Sequence, residues 1–91
     1  MESDNEKEMK KITVYTTSYC PYCDAAKDLL RNKKIDFSEV DVSDDEKKMA
    51  LRKRTGWRTV PQIFIGEEMI GGFQELRALD LSGELHKKLE F

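Results

Sequence analysis

The sequence predicts an α/β domain with one mixed sheet of four strands flanked by helices, in the order β-α-β-α-β-β-α-α. The chain has 91 residues, of which 38% are hydrophobic, so it can bury one core but not two. A strand–helix–strand pattern opens the domain, and the right-handed crossover of such a unit makes its two strands parallel. A hairpin pattern at residues 62–70 supplies the other two strands. We therefore place the domain at residues 12–91, after a flexible charged tail at residues 1–11.

The first strand and the first helix carry the clearest patterns. Residues 12–16 are β-branched or aromatic and apolar on both faces, as in a central strand that is covered on both sides. Pro21 suits the first turn of the following helix, because a backbone N–H at that position has no helical partner. Lys33 and Lys34 suit the negatively polarised end of the same helix. Three residues at helical spacing are expected to face the core: Cys23, Ala26 and Leu30.

The second strand and second helix follow directly. Residues 35–42 alternate less regularly and predict a strand nearer an edge of the sheet. Ser43 and Glu46 form a capping-box pattern, in which Ser43 is the N-cap and Glu46 reaches back to it. We expect the helix to run from here to Thr55, where Gly56 ends it.

The last third of the chain predicts the hairpin and two short helices. Residues 62–65 and 68–70 form two apolar strands joined by a two-residue turn, and a pair of glycines ends the hairpin. The helices are predicted at residues 73–79 and 83–89, with Ser82 as the cap of the second. Three leucines accompany the second of these helices at four-residue spacing: Leu81, Leu85 and Leu89.

Composition excludes several classes of protein. The chain has 16 Lys and Arg against 18 Asp and Glu, a net charge of −2 and a pI near 5.4, so it lacks the excess positive charge that nucleic acids and anionic membranes attract. No apolar run approaches the roughly 18 residues that cross a bilayer. The N-terminus also lacks the apolar stretch of a secretory signal. We expect a cytosolic protein that binds neither nucleic acid nor membrane.

The only two cysteines are Cys20 and Cys23, in the run Cys-Pro-Tyr-Cys. A disulfide that closes so short a loop stabilises a fold by only about 2 kcal/mol, against nearly 5 kcal/mol for a loop of ~100 residues. The pair is therefore expected to serve chemistry rather than stability. A structural zinc site takes four ligands, and the only other Cys or His in the chain is His86, so no metal is expected.

The predicted place of the cysteines assigns each a role. They lie where the first strand passes into its helix, at the carboxyl edge of the sheet. A thiolate at a helix N-terminus is stabilised by free backbone N–H groups and by the helix dipole, so we expect Cys20 to be the nucleophile, with a pKa below that of a free cysteine. Cys23 lies one turn further on and is expected to act as the resolving thiol. A C-x-x-C pair beside a βαβ pattern is typical of thioredoxin-like redox proteins.

Three stretches together resemble a dithiol glutaredoxin: Cys-Pro-Tyr-Cys at 20–23, Thr-Gly-Trp-Arg-Thr-Val-Pro-Gln-Ile-Phe-Ile-Gly at 55–66 and Ile-Gly-Gly at 70–72. The match extends from Ile12 to the C-terminus. It implies a thioredoxin fold in which Pro61 is cis and faces the cysteines, beside a groove for glutathione. It also implies that the backbone of Val60 pairs, as a β-strand would, with the cysteinyl part of glutathione.

The resemblance also implies the rest of the groove. Amides at the start of the helix after the double glycine would bind the γ-glutamyl carboxylate, and Glu75 would bind its ammonium group, where the family more often has Asp. Thr17 departs from the family, many members of which carry a lysine there that helps the thiolate and binds the glycyl carboxylate of glutathione, and Arg58 is expected to compensate. Trp57 is left open between contacting partners and covering a loop. The implied groove residues are Tyr22, Arg58, Thr59, Val60, Pro61, Gly72, Phe73, Gln74 and Glu75.

The expected function is glutathione-dependent reduction, by a monomer, of protein disulfides with both cysteines and of protein–glutathione mixed disulfides with Cys20 alone. Two alternatives stay open. Thr17 and Glu75 are compatible with a glutaredoxin-like protein that thioredoxin reductase reduces instead. A dimer could also hold a [2Fe–2S] cluster through two Cys20 thiolates and two glutathiones, although Pro21 argues against it because cluster-holding relatives usually have a small residue there.

Overall fold

The computed structural model describes residues 10–57 and 59–90, so most of the predicted tail and Arg58 lie outside the described residues. The described residues form a four-stranded sheet in the order β2-β1-β3-β4. Strand β1 is parallel to β2 and antiparallel to β3, and β3 is antiparallel to β4. The elements are β1 (Ile12–Thr16), α1 (Pro21–Asn32), β2 (Phe37–Asp41), α2 (Asp45–Thr55), β3 (Gln62–Ile65), β4 (Glu68–Gly71), α3 (Phe73–Ser82) and α4 (Glu84–Leu89).

The predicted thioredoxin fold is confirmed, including the central place of β1 and the edge place of β2. Among the described residues, no helix has the length and apolar character needed to cross a membrane.

The core lies between one face of the sheet and helices α1, α3 and α4. Alternation along β1 turns Ile12 and Val14 toward this core, where each is fully buried. Full burial of such a side chain contributes about 1.5–3 kcal/mol. The predicted stripe of α1 is confirmed as buried. The buried cluster consists of Ile12, Val14, Ala26, Leu30, Ile63, Ile65, Leu76, Leu85 and Leu89.

Helix α2 lies over the opposite face of the sheet. The guanidinium carbon of Arg54 lies 5.3 Å from the ring centroid of Phe64 and 5.8 Å from that of Tyr15. The two rings pack edge to face, with centroids 5.4 Å apart. Leu51 is the only buried residue of α2, so contacts from its charged side chains supplement a small apolar contact.

The predicted N-cap of α2 is wrong. The helix begins after Asp44, whose side chain accepts a hydrogen bond from the backbone N–H of Lys47 at 3.3 Å. The Ser43 hydroxyl instead accepts a hydrogen bond from the backbone N–H of Ser18 at 2.8 Å. Ser and Asp are comparable N-caps, so the tertiary contact of Ser43 decides which residue caps the helix. With Ser43 outside the helix, Glu46 does not complete a capping box.

The three leucines at four-residue spacing near the C-terminal end do not share one face. Helix α3 runs to Ser82, and the chain turns at Gly83 before α4 begins. Leu81 is 72% exposed because this turn separates it from the face that carries the buried Leu85 and Leu89. The predicted cap of α4 is also displaced by one residue: Gly83 is the N-cap, while the Ser82 hydroxyl accepts a hydrogen bond from the N–H of Glu84 at 3.3 Å.

A polar cluster joins β1, β2 and α1 on the side of the cysteines. Glu39 accepts hydrogen bonds from Lys27 Nζ at 2.9 Å and from the buried hydroxyl of Thr16 at 2.8 Å. The hydrogen bond from Lys27 and then that from Thr16 hold the pKa of Glu39 below its usual value of 4.5. Because folding lowers this pKa, the carboxylate stabilises the fold above pH 4.5, and the contribution is lost as the pH falls through the folded-state pKa.

We expect Glu39→Gln to lower the free energy of unfolding at neutral pH by about 0.2–1 kcal/mol, the range for an ion pair with one partner in solvent. The glutamine oxygen can still accept the hydrogen bond from Thr16, so the change tests the charge. Urea unfolding at about pH 7 and about pH 3 measures it, and the difference from wild type should be smaller at the lower pH. Glu67→Gln, at an exposed residue in the β3–β4 turn, is the control. An equal loss at both pH values would contradict the assignment.

Candidate active site

Cys20 and Cys23 form a disulfide at the start of α1, with their Cα atoms 5.1 Å apart. Cys20 is the N-cap, and its Sγ accepts a hydrogen bond from the backbone N–H of Cys23 at 3.1 Å. Cys20 is partly exposed, whereas Cys23 is only 1% exposed. The outer sulfur is therefore accessible to a partner and the inner one is covered, an arrangement that suits the roles expected from the sequence.

The loop that precedes Cys20 is held from the β2 side. Strand β1 ends at Thr16, whose carbonyl accepts a hydrogen bond from the N–H of Val42 at 2.7 Å. Two residues later, the N–H of Ser18 donates to the Ser43 hydroxyl. Pro21 then occupies the first helical position. These contacts fix the cysteines at the carboxyl edge of the sheet, where ligands of α/β folds bind.

Val60 and Pro61 face the cysteines across this edge. The peptide bond between them is cis, as the resemblance implies. The carbonyl oxygen of Val60 lies 3.7 Å from Cys20 Sγ. Val60 stands just before β3 and outside the strand pairing, so its backbone can pair with an extended ligand beside the nucleophile.

A groove of about 490 Å³, the α3 groove, lies between this loop and the start of α3. Tyr22 and Phe73 form one end, with ring centroids 6.2 Å apart. Arg58 lies outside the described residues, and all the other residues that the resemblance implies for a groove line this one. The lining of the α3 groove consists of Tyr22, Trp57, Thr59, Val60, Pro61, Gly72, Phe73, Gln74 and Glu75.

Glu75 already has a partner in this groove. Its Oε1 accepts a hydrogen bond from the backbone N–H of Gly72 at 2.8 Å, which caps the start of α3. The residue is otherwise exposed, so its second carboxylate oxygen is open to a ligand ammonium group. Capping by Glu75 was not predicted, although a glutamate at the third position of a helix is the usual signal for it.

A second groove of about 420 Å³, the α2 groove, lies on the other side of Cys20. It contains Thr17, the position at which the sequence departs from the family pattern. Lys48 and Arg52 line it from α2, and no acidic residue is among its described lining. Sequence analysis missed both cations, although their four-residue spacing places them on one face of a helix.

Trp57 lies where the two grooves meet and lines both. Its backbone carbonyl accepts a hydrogen bond from Gln62 Nε2 at 2.9 Å, which ties the loop to the buried start of β3. Two roles were left open for Trp57: contacting partners and covering a loop. Its position in both linings would place it in contact with a ligand in either groove.

Comparison with known proteins gives consistent matches. A sequence model of the glutaredoxin family matches residues 12–70. A glutaredoxin from Pseudomonas aeruginosa is 44% identical over 78 residues, 85% of this chain and 93% of that protein. The solution structure of glutaredoxin from Brucella melitensis has a TM-score of 0.80 at 40% identity, over 91% of each chain. A buckwheat glutaredoxin–glutathione complex has a TM-score of 0.78 at 29% identity, over 86% of this chain and 74% of that one.

Proposed function

Because this chain belongs to the glutaredoxin family of thiol–disulfide oxidoreductases, we propose that it uses glutathione to reduce protein disulfides and protein–glutathione mixed disulfides. One observation carries the proposal: the described groove residues implied by the resemblance converge in one groove, and one of them, Val60, lies 3.7 Å from the sulfur of the partly exposed Cys20. The buckwheat relative of similar fold is a glutathione complex, which supports the same ligand here.

The proposed reaction begins when the Cys20 thiolate attacks one sulfur of the substrate disulfide. A mixed disulfide forms and the other substrate sulfur leaves as a thiolate. Cys23 then attacks the Cys20 sulfur, which releases the second substrate thiol and leaves the Cys20–Cys23 disulfide of this structure. One glutathione thiolate reopens that disulfide at Cys20, and a second removes the first as glutathione disulfide. The substrate gains two electrons, and two glutathiones lose them.

We propose that glutathione lies along both grooves, with its cysteinyl part against the Val60 backbone. The free amides at the start of α3 would bind the γ-glutamyl carboxylate. The glycyl carboxylate would then lie toward Lys48 and Arg52 in the α2 groove. These two cations would attract the glycyl carboxylate, which is the role that the resemblance assigns to a lysine at position 17.

All groups used in this scheme belong to one chain, so we propose that a monomer is sufficient. The reaction consumes glutathione and therefore suits a reducing compartment such as the cytosol.

An NADPH-coupled assay tests the electron source. With a mixed disulfide as substrate, we expect turnover when glutathione and glutathione reductase are supplied, and none when thioredoxin reductase replaces them. The reverse result would favour the thioredoxin-reductase alternative. A cluster carrier would instead be coloured after anaerobic purification with iron, and would be dimeric.

We expect Lys48→Gln and Arg52→Gln each to raise the KM for glutathione by up to about fivefold, since an exposed ion pair contributes about 0.2–1 kcal/mol. Thr17→Lys should offset either loss, and in the wild-type background it should raise kcat/KM by at most about fivefold. Added salt should shrink all three effects.

Glutathione titrations at two salt concentrations measure these changes. Lys53→Gln, on the same helix but outside the lining of the α2 groove, is the control. An unchanged KM in both groove variants would show that the glycyl carboxylate binds elsewhere.

A further inference from the structure

A basic pocket of about 480 Å³ lies at the opposite edge of the sheet from the cysteines. The cysteines follow the carboxyl end of β1, whereas Lys10 and Lys11 precede its amino end, so the length of the strand separates the two sites. The end of α1 and the last turns of α4 complete the pocket. This far-end pocket is lined by Lys10, Lys11, Lys33, Lys34, Ile35, Asp36, His86 and Leu89.

Backbone hydrogen bonds hold the lysines in place. The N–H of Lys10 donates to the carbonyl of Leu89 at 2.7 Å, which joins the start of β1 to the end of α4. The N–H of Lys34 donates to the carbonyl of Arg31 at 2.9 Å, and that of Ile35 to the carbonyl of Leu30 at 2.9 Å. The residues before β1 and the end of α1 thus each bring two lysines to the lining of one cavity, and hydrogen bonds hold the backbone around it.

The charge of this pocket is unbalanced. Its lining contains four lysines and one carboxylate, that of Asp36, in a protein whose net charge is −2. Lys33 is paired with Asp80, 3.1 Å away. Within residues 10–57 and 59–90, no ion pair forms at Lys10, Lys11 or Lys34. The negative end of α1 accounts for lysines at 33 and 34, but not for the pair that β1 brings to the same cavity.

We propose that the far-end pocket binds a short chain of phosphate groups, as in inorganic tripolyphosphate or the phosphates of a nucleotide. An ammonium group binds phosphate as a point charge, and a chain of phosphates offers several negative charges at close spacing to a cluster of such groups. The basic side chains in the described lining are four lysines and the imidazole of His86, with no arginine among them. The volume is within the range of small-ligand sites, and a bound anion would relieve the repulsion among the ammonium groups.

An NMR titration of the ¹⁵N-labelled full chain with tripolyphosphate at low salt tests the proposal. We expect saturable shifts in the amides of residues 10–11, 33–36 and 86–89. Lys11→Gln with Lys34→Gln should weaken binding roughly three- to tenfold, because two charged contacts are lost and side-chain length is kept. Lys53→Gln, at a residue outside this pocket, should bind as wild type does.

Two comparison ligands define the chemistry. Citrate, a carboxylate anion with fewer negative charges, should bind more weakly than tripolyphosphate. A nucleoside triphosphate that binds as tightly as tripolyphosphate would assign the site to the phosphate chain alone, and one that binds more tightly would identify a nucleotide as the source. Shifts centred on Cys20 and the α2 groove, equal weakening by Lys53→Gln, or equal binding of citrate would each overturn the proposal.

Discussion

Cys20→Ser is expected to abolish reduction of both protein disulfides and protein–glutathione mixed disulfides, whereas Cys23→Ser should retain the second activity. Cys20 is the partly exposed sulfur at the helix N-terminus, so every route begins with its attack. The buried Cys23 is needed only to resolve a mixed disulfide with a protein. Glutathione can resolve a Cys20–glutathione disulfide without it.

The two activities are measured with a protein disulfide and with a glutathionylated peptide, each coupled to glutathione reductase. Thermal unfolding of wild type and both variants under reducing conditions is the control for folding. Equal loss of the glutathionylated-peptide activity in the two variants would contradict the roles assigned to Cys20 and Cys23.

Gly71→Ala is expected to destabilise the fold by about 2–4 kcal/mol, well beyond the effect of Gly56→Ala. Gly56 has a φ of +74°, in the left-handed region, which an alanine adopts at a cost of about 1–2 kcal/mol. Gly71 has a φ of +121°, outside that region, which only glycine adopts readily. A methyl group on Gly56 would meet nothing within 4 Å. On Gly71 it would lie 2.6 Å from Glu75 Cγ and 2.9 Å from Glu75 Cβ, and so would displace the side chain that caps α3.

Chemical denaturation of the two alanine variants measures the difference, with Gly56→Ala as the control for an alanine at positive φ that makes no steric contact. Glu75→Gly removes the side chain that clashes, so the double variant Gly71→Ala/Glu75→Gly should lose less stability than the sum of its single changes. The KM for glutathione should rise in Gly71→Ala, because α3 begins inside the groove proposed for this ligand. Similar losses in Gly56→Ala and Gly71→Ala would show that the contact with Glu75 is unimportant.

The sequence was sufficient for the elements whose patterns depend on neighbouring residues. The β-branched run of β1, Pro21 at the start of α1 and the spacing of Cys23, Ala26 and Leu30 each predict what the structure has. The groove lined by Tyr22, Thr59 and Phe73 was predicted from a resemblance of motifs that are far apart in the chain. Spacing within the sequence would not have brought these residues together.

The features that sequence analysis missed depend on tertiary packing. Helix α2 buries only Leu51, so it has no apolar stripe to indicate that Lys48 and Arg52 face the cysteines. Ser43 and Asp44 are both good N-caps, and only the contact of Ser43 with Ser18 separates them. Leu81 keeps the spacing of a buried stripe, but the turn at Gly83 points it to solvent.

Trp57 can serve as an intrinsic fluorescent probe of the two grooves. It is the only tryptophan in the chain, and it lines both the α2 groove, which contains Cys20, and the α3 groove. Indole emission responds to local polarity and to nearby sulfur, so one signal reports on ligand entry and on opening of the disulfide. The rates of the individual thiol-exchange steps can thus be followed in the unlabelled protein by stopped-flow fluorescence, without coupling to a reductase.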